Sequence, residues 1–192
     1  MNYLAHMLLS DGSPEGLVGN LAGDFVRGVD VSSLSAPMQA GVTLHRAVDR
    51  FTDSHPTVLR SRSRLPESWR HYRGVLVDIF YDHFLARDFE AHAGEPLDSF
   101  AGRVYVALQE HRESLPPRLQ QAAPVMIEHD WLRAYAHVEG LEVVLRGMSR
   151  RAKREVALDA AAADLREHYA AFETDFATFF PDLLQFASRA SM

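Results

Sequence analysis

Apolar residues recur every three or four positions along most of the chain, which is the period of an amphipathic α-helix. The clearest example steps from Leu165 to Leu183 through four aromatic residues. It predicts a long C-terminal helix from about Arg154, with its aromatic stripe in the core and an interruption near Pro181. Alternating patterns typical of strands are scarce. The predicted fold is therefore an all-α, single-domain helical bundle spanning residues 1–192.

Capping residues, prolines and glycines set the expected ends of the other helices. The sequence predicts helices over 13–27, 35–55, 66–90, 98–115 and 118–137, and a short helix between Gly140 and Gly147. Pro124 is expected to interrupt the helix over 118–137, because proline lacks the N–H group that a helix interior needs.

The amino-acid composition and the absence of certain motifs exclude several classes of protein. The 192 residues include no cysteine, which excludes disulfides, thiolate metal sites, iron–sulfur clusters and cysteine nucleophiles. Neither a Gly-rich phosphate loop nor a G-x-S-x-G elbow occurs. The N-terminal residues do not resemble a signal peptide, and no apolar run approaches the roughly 20 residues that span a bilayer. We therefore expect a cytoplasmic protein without a membrane span.

Charge is unevenly distributed along the chain. The net charge of −6 argues against a nucleic-acid partner. However, residues 44–73 hold seven arginines against three acidic residues, and residues 142–155 hold five basic residues against two acidic ones. These stretches favour either a polyanionic partner or a phosphate group, or they are simply solvated helix faces.

Two predicted helices carry acidic and imidazole side chains on one face, because residues four apart in a helix are neighbours. The columns are His45, Asp49 and Asp53 on the helix over 35–55, and Asp78 with Asp82, next to His83, on the helix over 66–90. Their neighbours are apolar, and unpaired carboxylates near a core are costly. A divalent cation would compensate for that cost. Acidic residues paired with arginines are the alternative.

Two further stretches add candidate ligands. Asp24 follows small residues in the segment 19–28 and would complete an oxygen-rich shell, while Arg27 would hold a phosphate oxygen or interact with a helix dipole. His6 lies in an apolar N-terminal segment, as a core residue or as a ligand. The predicted metal ligands are Asp24, His45, Asp78, Asp82, His83 and His6. Nitrogen and oxygen ligands suit Mn²⁺, Mg²⁺, Fe²⁺ or Zn²⁺.

Several motifs together resemble the acyl carrier protein phosphodiesterases. They are Asn2–His6, Gly19–Gly28, His45-Arg46-x-x-Asp49-x-x-Thr52-Asp53, Asp78-x-x-x-Asp82-His83-Phe84-Leu85, Trp131-Leu132, Gly147–Arg151 and Tyr169–Pro181. The resemblance covers essentially the whole chain. It implies a distant relationship to the HD-type metal-dependent phosphohydrolases, although the pair here runs Asp82-His83, with the acid first.

The same resemblance implies an activity. Such an enzyme removes the 4′-phosphopantetheine arm from holo-acyl carrier protein with Mn²⁺ and metal-activated water. The catalytic residues would be His45, Arg27 and Arg46, with His83 as another proton donor and Arg150 as another phosphate contact. The basic stretches 44–73 and 142–155 would dock the acidic carrier. Two alternative functions are an HD-like phosphohydrolase acting on a small nucleotide or phosphate ester, and a non-enzymatic helical interaction protein.

Overall fold

The computed structural model describes residues 1–149 and 156–190, in which all regular secondary structure is helical. The α-helices are α1 (Tyr3–Leu8), α2 (Pro14–Ala22), α3 (Ala36–Ser54), α4 (Pro56–Arg64), α5 (Arg73–Arg87), α6 (Phe89–Ala93), α7 (Leu97–Glu110), α8 (Pro117–Glu128), α9 (Trp131–Ala134), α10 (Val138–Ser149), α11 (Ala162–Glu167) and α12 (Tyr169–Ala190). Single 3₁₀ turns lie at Gly23–Phe25, Val31–Ser33, Glu67–Trp69, Arg112–Ser114 and Leu158–Ala161. The prediction of an all-α fold is confirmed.

Several predicted helix ends were wrong. The predicted helix over 66–90 begins only at Arg73, because Pro66 opens a single 3₁₀ turn. Pro124 does not interrupt α8, which runs from Pro117 to Glu128 with the proline on its exposed side. The interruption comes instead at Asp130, whose φ of 47° is left-handed. Pro181 also stays within α12, and the predicted start near Arg154 lies outside the described residues.

Helix α5 lies at the centre of the molecule. Almost every side chain from Leu76 to Ala86 is buried, so this helix is surrounded by others. The aromatic stripe of α12 packs on it, with Phe172 against Phe80 and Phe176 against Tyr81 at ring-centroid distances of 5.3 Å and 5.7 Å. The stripe is core, as predicted.

Helices α2 and α3 approach each other at backbone distance. A Cβ on Gly19 would lie 2.5 Å from the Met38 Cα, and one on Gly41 would lie 2.5 Å from the Asn20 nitrogen. Only glycine fits at such a contact. The close approach brings the C-terminal end of α2 against the middle of α3, where the candidate ligands lie.

A buried carboxylate joins α4 to α12. Asp175 accepts hydrogen bonds from Arg60 at 2.6 Å and 2.9 Å, from Arg64 at 3.1 Å and from the Ser61 hydroxyl at 2.8 Å. Two of the arginines in the basic stretch 44–73 therefore serve the fold. In the described part of the chain, no helix combines the length and apolar content needed to cross a bilayer.

Candidate metal centre

Two imidazoles and one carboxylate converge between α1 and α3. The Nε2 atom of His6 lies 3.1 Å from Oδ1 of Asp49, and the Nε2 atom of His45 lies 3.2 Å from Oδ2 of the same carboxylate. The two imidazole rings stack with centroids 3.8 Å apart. One possible ligand atom from each of the three residues lies within 4.8 Å of the other two. Among the described residues, these three form the group of side chains close enough together to hold a metal ion. The three side chains can therefore share one cation.

The two α3 ligands owe their alignment to helix geometry. His45 and Asp49 are one turn apart, so their side chains project from the same face. His45 is buried, whereas Asp49 remains 44% exposed. The cluster is thus anchored in the core at one end and open to solvent at the other.

Asp24 lies at the open side of this cluster. Its Oδ1 atom is 3.6 Å from the Nε2 atom of His45, and the side chain is 42% exposed. The preceding residue, Gly23, leaves room for the histidine, because a Cβ there would lie 2.2 Å from the Cγ atom of His45. The end of α2 therefore shapes the position of both side chains.

Helix α1, which carries His6, is held in place by a buried carboxylate of α5. Asp82 accepts hydrogen bonds from the backbone N–H groups of Asn2 at 3.1 Å and Leu4 at 2.7 Å. It supplies the N-terminal cap that no side chain of α1 itself provides. Asn2 adds a hydrogen bond to the hydroxyl of Tyr135 at 2.7 Å. Burial raises the pKa of Asp82 to about 7, against the lowering effect of these donors and the terminal amine.

The other two predicted ligands on α5 also have partners. Asp78 forms an ion pair with the amino group of Met1 at 2.9 Å, while burial raises the pKa of this carboxyl. His83 places its Nδ1 atom 2.8 Å from the carbonyl oxygen of Tyr135 and its Nε2 atom 2.8 Å from the hydroxyl of Tyr169. Both ring nitrogens of His83 are therefore engaged in holding helices together.

Burial and the neighbouring carboxylates give the two imidazoles different pKa values. Burial lowers the pKa of His6 to about 4, despite its hydrogen bond to Asp49. Burial also opposes a charged His45, but Asp24 and Asp49 outweigh it and raise the pKa of His45 to about 9. Although burial acts in the opposite direction, the two imidazoles hold the pKa of Asp49 well below its usual range. Without a cation, His45 is therefore the imidazole that keeps its proton, and a bound metal cation would take the place of that proton.

The donor set fits a divalent cation. Imidazole nitrogen and carboxylate oxygen suit Mn²⁺, Fe²⁺ or Zn²⁺, and the Nε2 atoms that face Asp49 are the ones that would bind. The Nδ1 atoms of His6 and His45 are buried without a hydrogen-bond partner in the described part of the chain. This differs from common metal sites, in which the second ring nitrogen donates to a neighbouring oxygen.

Three exposed arginines lie near the cluster in the sequence and have no ion pair among the described residues. Arg46 and Arg50 flank Asp49 on α3, one turn apart, and Arg27 follows Asp24 by three residues. By contrast, Arg62 pairs with Asp53 at 2.5 Å. Asp53 therefore does not join His45 and Asp49 in the cluster, although it lies on the same helix face in sequence. The unpaired guanidinium groups are available for an anion.

The sequence of most of the chain matches that of a known protein family. Residues 1–183 match the family model described as acyl carrier protein phosphodiesterase.

The chain belongs to the acyl carrier protein phosphodiesterase family.

Curated relatives in this family cover nearly the whole chain. A protein named acyl carrier protein phosphodiesterase from Serratia proteamaculans is 35% identical over 96% of both chains. The protein of that name from Photorhabdus laumondii is 34% identical over 96% of this chain and 94% of its own, and one from Escherichia coli O157:H7 is 33% identical over the full length of both. No solved structure matches the chain.

In this acyl carrier protein phosphodiesterase family member, the fold brings together only part of the predicted ligand set. Asp24, His45 and His6 meet, and Asp49 completes the cluster. Asp49 was absent from the predicted ligands although it shares a helix face with His45; that spacing was the signal for it. The predicted ligands Asp78, Asp82 and His83 lie elsewhere, bound to the Met1 amine, to α1 and to two tyrosines.

Arg27 and Arg46, predicted as catalytic, lie near the cluster in the chain and are unpaired in the described residues. Four of the five basic residues in the stretch 142–155, Arg150 and Arg151 among them, lie outside the described residues. Arg146, which is described, pairs with Asp159 at 3.2 Å. The basic surface available near the cluster is therefore that of α3.

Proposed function

We propose that this protein hydrolyses the phosphodiester between 4′-phosphopantetheine and a serine of holo-acyl carrier protein, giving the apo-protein. The family match over residues 1–183 supports the substrate. The observation that carries the chemistry is the convergence of His6, His45 and Asp49. The predicted cytoplasmic location and the predicted relationship to HD-type phosphohydrolases are part of this proposal.

The cluster is proposed to hold one divalent cation, with Mn²⁺ as the first candidate. His6 and His45 would bind through Nε2, Asp49 through its carboxylate, and Asp24 would join from the open side. When bound there, such a cation supplies Lewis acidity for a phosphoryl oxygen and lowers the pKa of a water molecule.

Side chains around the cluster would accept a proton from water and neutralise the charge of the phosphodiester. Asp24 is exposed and acidic, so the carboxylate oxygen that does not bind the cation would accept a proton from the attacking water. Arg46 and Arg27 carry positive charge that neutralises the oxygens of the phosphodiester, and a guanidinium group can contact two of them at once. His45 acts as a ligand in this scheme and holds no proton on Nε2 when the cation is present.

The substrate is a small acidic protein, so recognition requires positive charge beside the cluster. Arg46 and Arg50 form a row on the exposed face of α3, next to Asp49. Complementary charge of this kind accelerates encounter and weakens as salt is added. The docking proposal therefore rests on α3 and not on the paired arginines of α4.

The experiment incubates holo-carrier with the purified protein and follows the intact mass of the carrier. With Mn²⁺ the carrier is expected to lose the mass of its arm, and a chelator is expected to stop the loss until the metal is restored. His45→Gln should abolish turnover, whereas Gln109→Ala, at an exposed position near the end of α7, serves as the matched control. An unchanged carrier mass with metal-loaded wild-type protein would refute the proposal.

A further inference from the structure

A histidine and an arginine of α5 flank the hydroxyl of Tyr169, the first residue of α12. The oxygen of this hydroxyl lies 2.8 Å from Nε2 of His83 and 3.0 Å from Nη1 of Arg87. The other ring nitrogen of His83, Nδ1, lies 2.8 Å from the carbonyl oxygen of Tyr135. These residues are separate from the three side chains of the candidate metal centre. They form a second group with the means for chemistry.

The carbonyl of Tyr135 fixes the positions of the protons in this group. A carbonyl oxygen only accepts hydrogen bonds, so Nδ1 of His83 carries a proton. Burial lowers the pKa of His83, which favours the neutral ring. Nε2 is then an acceptor, and the hydroxyl of Tyr169 donates its proton to it. Arg87 donates in turn to the phenol oxygen.

This arrangement is one that activates an oxygen nucleophile. A weakly nucleophilic hydroxyl is activated by a base within hydrogen-bond reach, and a third group orients that base. The hydroxyl of Tyr169, the imidazole of His83 and the carbonyl of Tyr135 match these three parts in order. The guanidinium group of Arg87 adds positive charge beside the oxygen on which negative charge develops.

The hydroxyl of Tyr169 is accessible from solvent. The described residues include all six tyrosines, of which four are buried, while Tyr72 and Tyr169 keep part of their surface exposed. The ring of Tyr169 packs edge-on against Phe84 with centroids 5.0 Å apart, and its hydroxyl meets Arg87 at the surface. An incoming group therefore reaches the phenol oxygen without unfolding of α12.

The charges around the hydroxyl restrict the group that it can attack. Arg87 forms ion pairs with Asp88 and, at 2.5 Å, with Glu173, one turn after Tyr169 on α12. Two carboxylates and one guanidinium group leave a net negative charge around the oxygen. A phosphate donor is a polyanion and would be repelled there. The carbonyl carbon of an acyl group carries no such charge, so the surroundings favour an acyl donor.

We propose that Tyr169 is a site of covalent acylation, at which its hydroxyl attacks an activated acyl group such as a thioester. The phenol oxygen forms a bond to the acyl carbon while its proton passes to Nε2 of His83. The carbon–sulfur bond then breaks, and the departing thiolate takes the proton from the imidazole. The products are an aryl ester on Tyr169, a free thiol and a neutral His83. This step uses no residue of the candidate metal centre.

The test treats the wild-type protein, in chelator at pH 7, with N-acetylimidazole, a neutral acetyl donor that releases imidazole when it is attacked. Peptide mass mapping gives the initial rate of acetylation at each tyrosine. Tyr169 should react at least about ten-fold faster than Tyr72, because general-base catalysis contributes a factor of this size or more. Tyr72 is also partly exposed, and its hydroxyl has no hydrogen bond to a histidine among the described residues. A rate at Tyr169 equal to or below that at Tyr72 would overturn the proposal.

Replacing His83 with glutamine separates the base from its hydrogen bonds. His83→Gln keeps an N–H group for the carbonyl of Tyr135 and an acceptor oxygen for the hydroxyl of Tyr169, but an amide does not take up a proton. The acetylation rate at Tyr169 should fall at least about ten-fold in this variant, with folding checked by circular dichroism. A wild-type rate at Tyr169 in the folded variant would also overturn the proposal. The comparison within the wild-type protein needs no variant and stands by itself.

Arg87→Gln tests the guanidinium group, and Arg103→Gln is its matched control. Arg103 is likewise exposed, pairs with an acidic residue, Glu95, and lies over an aromatic ring, that of Phe100, at 5.6 Å. Arg87→Gln should slow the acetylation of Tyr169 about ten-fold, as expected from the loss of one hydrogen bond to a charged group. Arg103→Gln should leave the rate unchanged. Equal rates at Tyr169 in the two variants would contradict the part assigned to Arg87.

Discussion

At the scale of single residues, the contact between Gly23 and His45 sets the geometry of the candidate metal centre. The imidazole occupies the space that a side chain at position 23 would need, although the backbone there is right-handed helical and would accept alanine. The glycine is thus required by the neighbouring ring and not by its own φ and ψ angles.

Replacing Gly23 with alanine should displace His45 and weaken metal binding by about 10–100-fold, the range seen when the supports of a ligand are removed. Gly102→Ala is the matched control. Gly102 lies within α7, where an added Cβ meets nothing within 4 Å. This change should leave metal affinity intact and raise the free energy of unfolding by about 1 kcal/mol. Equal Mn²⁺ affinities of the two variants in a titration would contradict the assigned role.

The sequence indicated only some residues of the candidate metal centre, and the reason lies in single residues. Helical spacing identified His45 with Asp49 as neighbours, because residues four apart on one helix meet whatever the rest of the chain does. Asp82 and His83 have similar spacing and similar apolar neighbours, yet they contact α1 and the tyrosines. Sequence periodicity does not specify which helix packs against which, so it could not separate these two groups.

At the scale of helices, short α1 depends on α5. Six residues cannot form a stable helix alone, and the cap comes from Asp82, eighty residues further along the chain. This contact helps to fix α1, together with the contacts of Met1 and Asn2, and so places His6 at the cluster. We therefore expect Asp82 to affect the candidate metal centre by positioning α1.

Asp82→Ala should leave the N–H groups of Asn2 and Leu4 unpaired in the interior. The expected loss is about 2–4 kcal/mol in the free energy of unfolding, measured by urea titration in chelator, together with weaker Mn²⁺ binding. Asp82→Asn retains an acceptor oxygen and should lose less stability. If Asp82→Ala lost metal binding while its stability in chelator remained that of the wild type, Asp82 would be a ligand and not an anchor.

The stability that the Asp175 contact between α4 and α12 contributes should depend on pH, and the sign of that dependence follows from the pKa of Asp175. Burial would raise the pKa of Asp175, but Arg60, Arg64 and Ser61 outweigh it and hold the pKa below its ordinary value. A carboxyl whose pKa is lowered by folding stabilises the protein above its ordinary pKa, and this contribution is lost as the pH falls through the folded value.

Asp175→Asn should therefore cost about 2–3 kcal/mol at neutral pH, within the range for hydrogen bonds to charged groups. The difference from wild type should shrink below about pH 4. Chemical unfolding at pH 7 and pH 3 measures both values. A difference that stayed constant or grew toward acid would show that the charge of Asp175 is not what stabilises this contact.

At the scale of the whole molecule, the periodicity of apolar residues was sufficient to predict an all-α fold and the buried aromatic stripe of α12. It predicted neither helix α4 nor the separation of α9 from α8, since both depend on how neighbouring helices cross. The division of arginines into paired and unpaired groups also follows from the tertiary structure. Seven arginines in residues 44–73 look alike in sequence, but Asp175, Asp53 and Glu67 engage five of them.

Charge reversal at the two arginines that remain should separate docking from folding. Arg46→Glu with Arg50→Glu should raise KM for holo-carrier about ten-fold, equivalent to about 1.4 kcal/mol, and should reduce its dependence on salt. Arg112→Glu with Arg118→Glu makes the same change in charge at exposed positions outside α2 and α3. Steady-state rates at low and high ionic strength provide the comparison; an equal rise in KM for both proteins would indicate a general effect of net charge.

The most direct test of the central claim is a titration of chelator-treated protein with Mn²⁺, followed through the signal of the free ion. The account predicts saturable binding by wild-type protein, and its loss in separate His6→Gln, His45→Gln and Asp49→Asn variants that remain folded. Binding that survives in all three variants, or no binding by the wild type, would show that His6, His45 and Asp49 do not hold a cation.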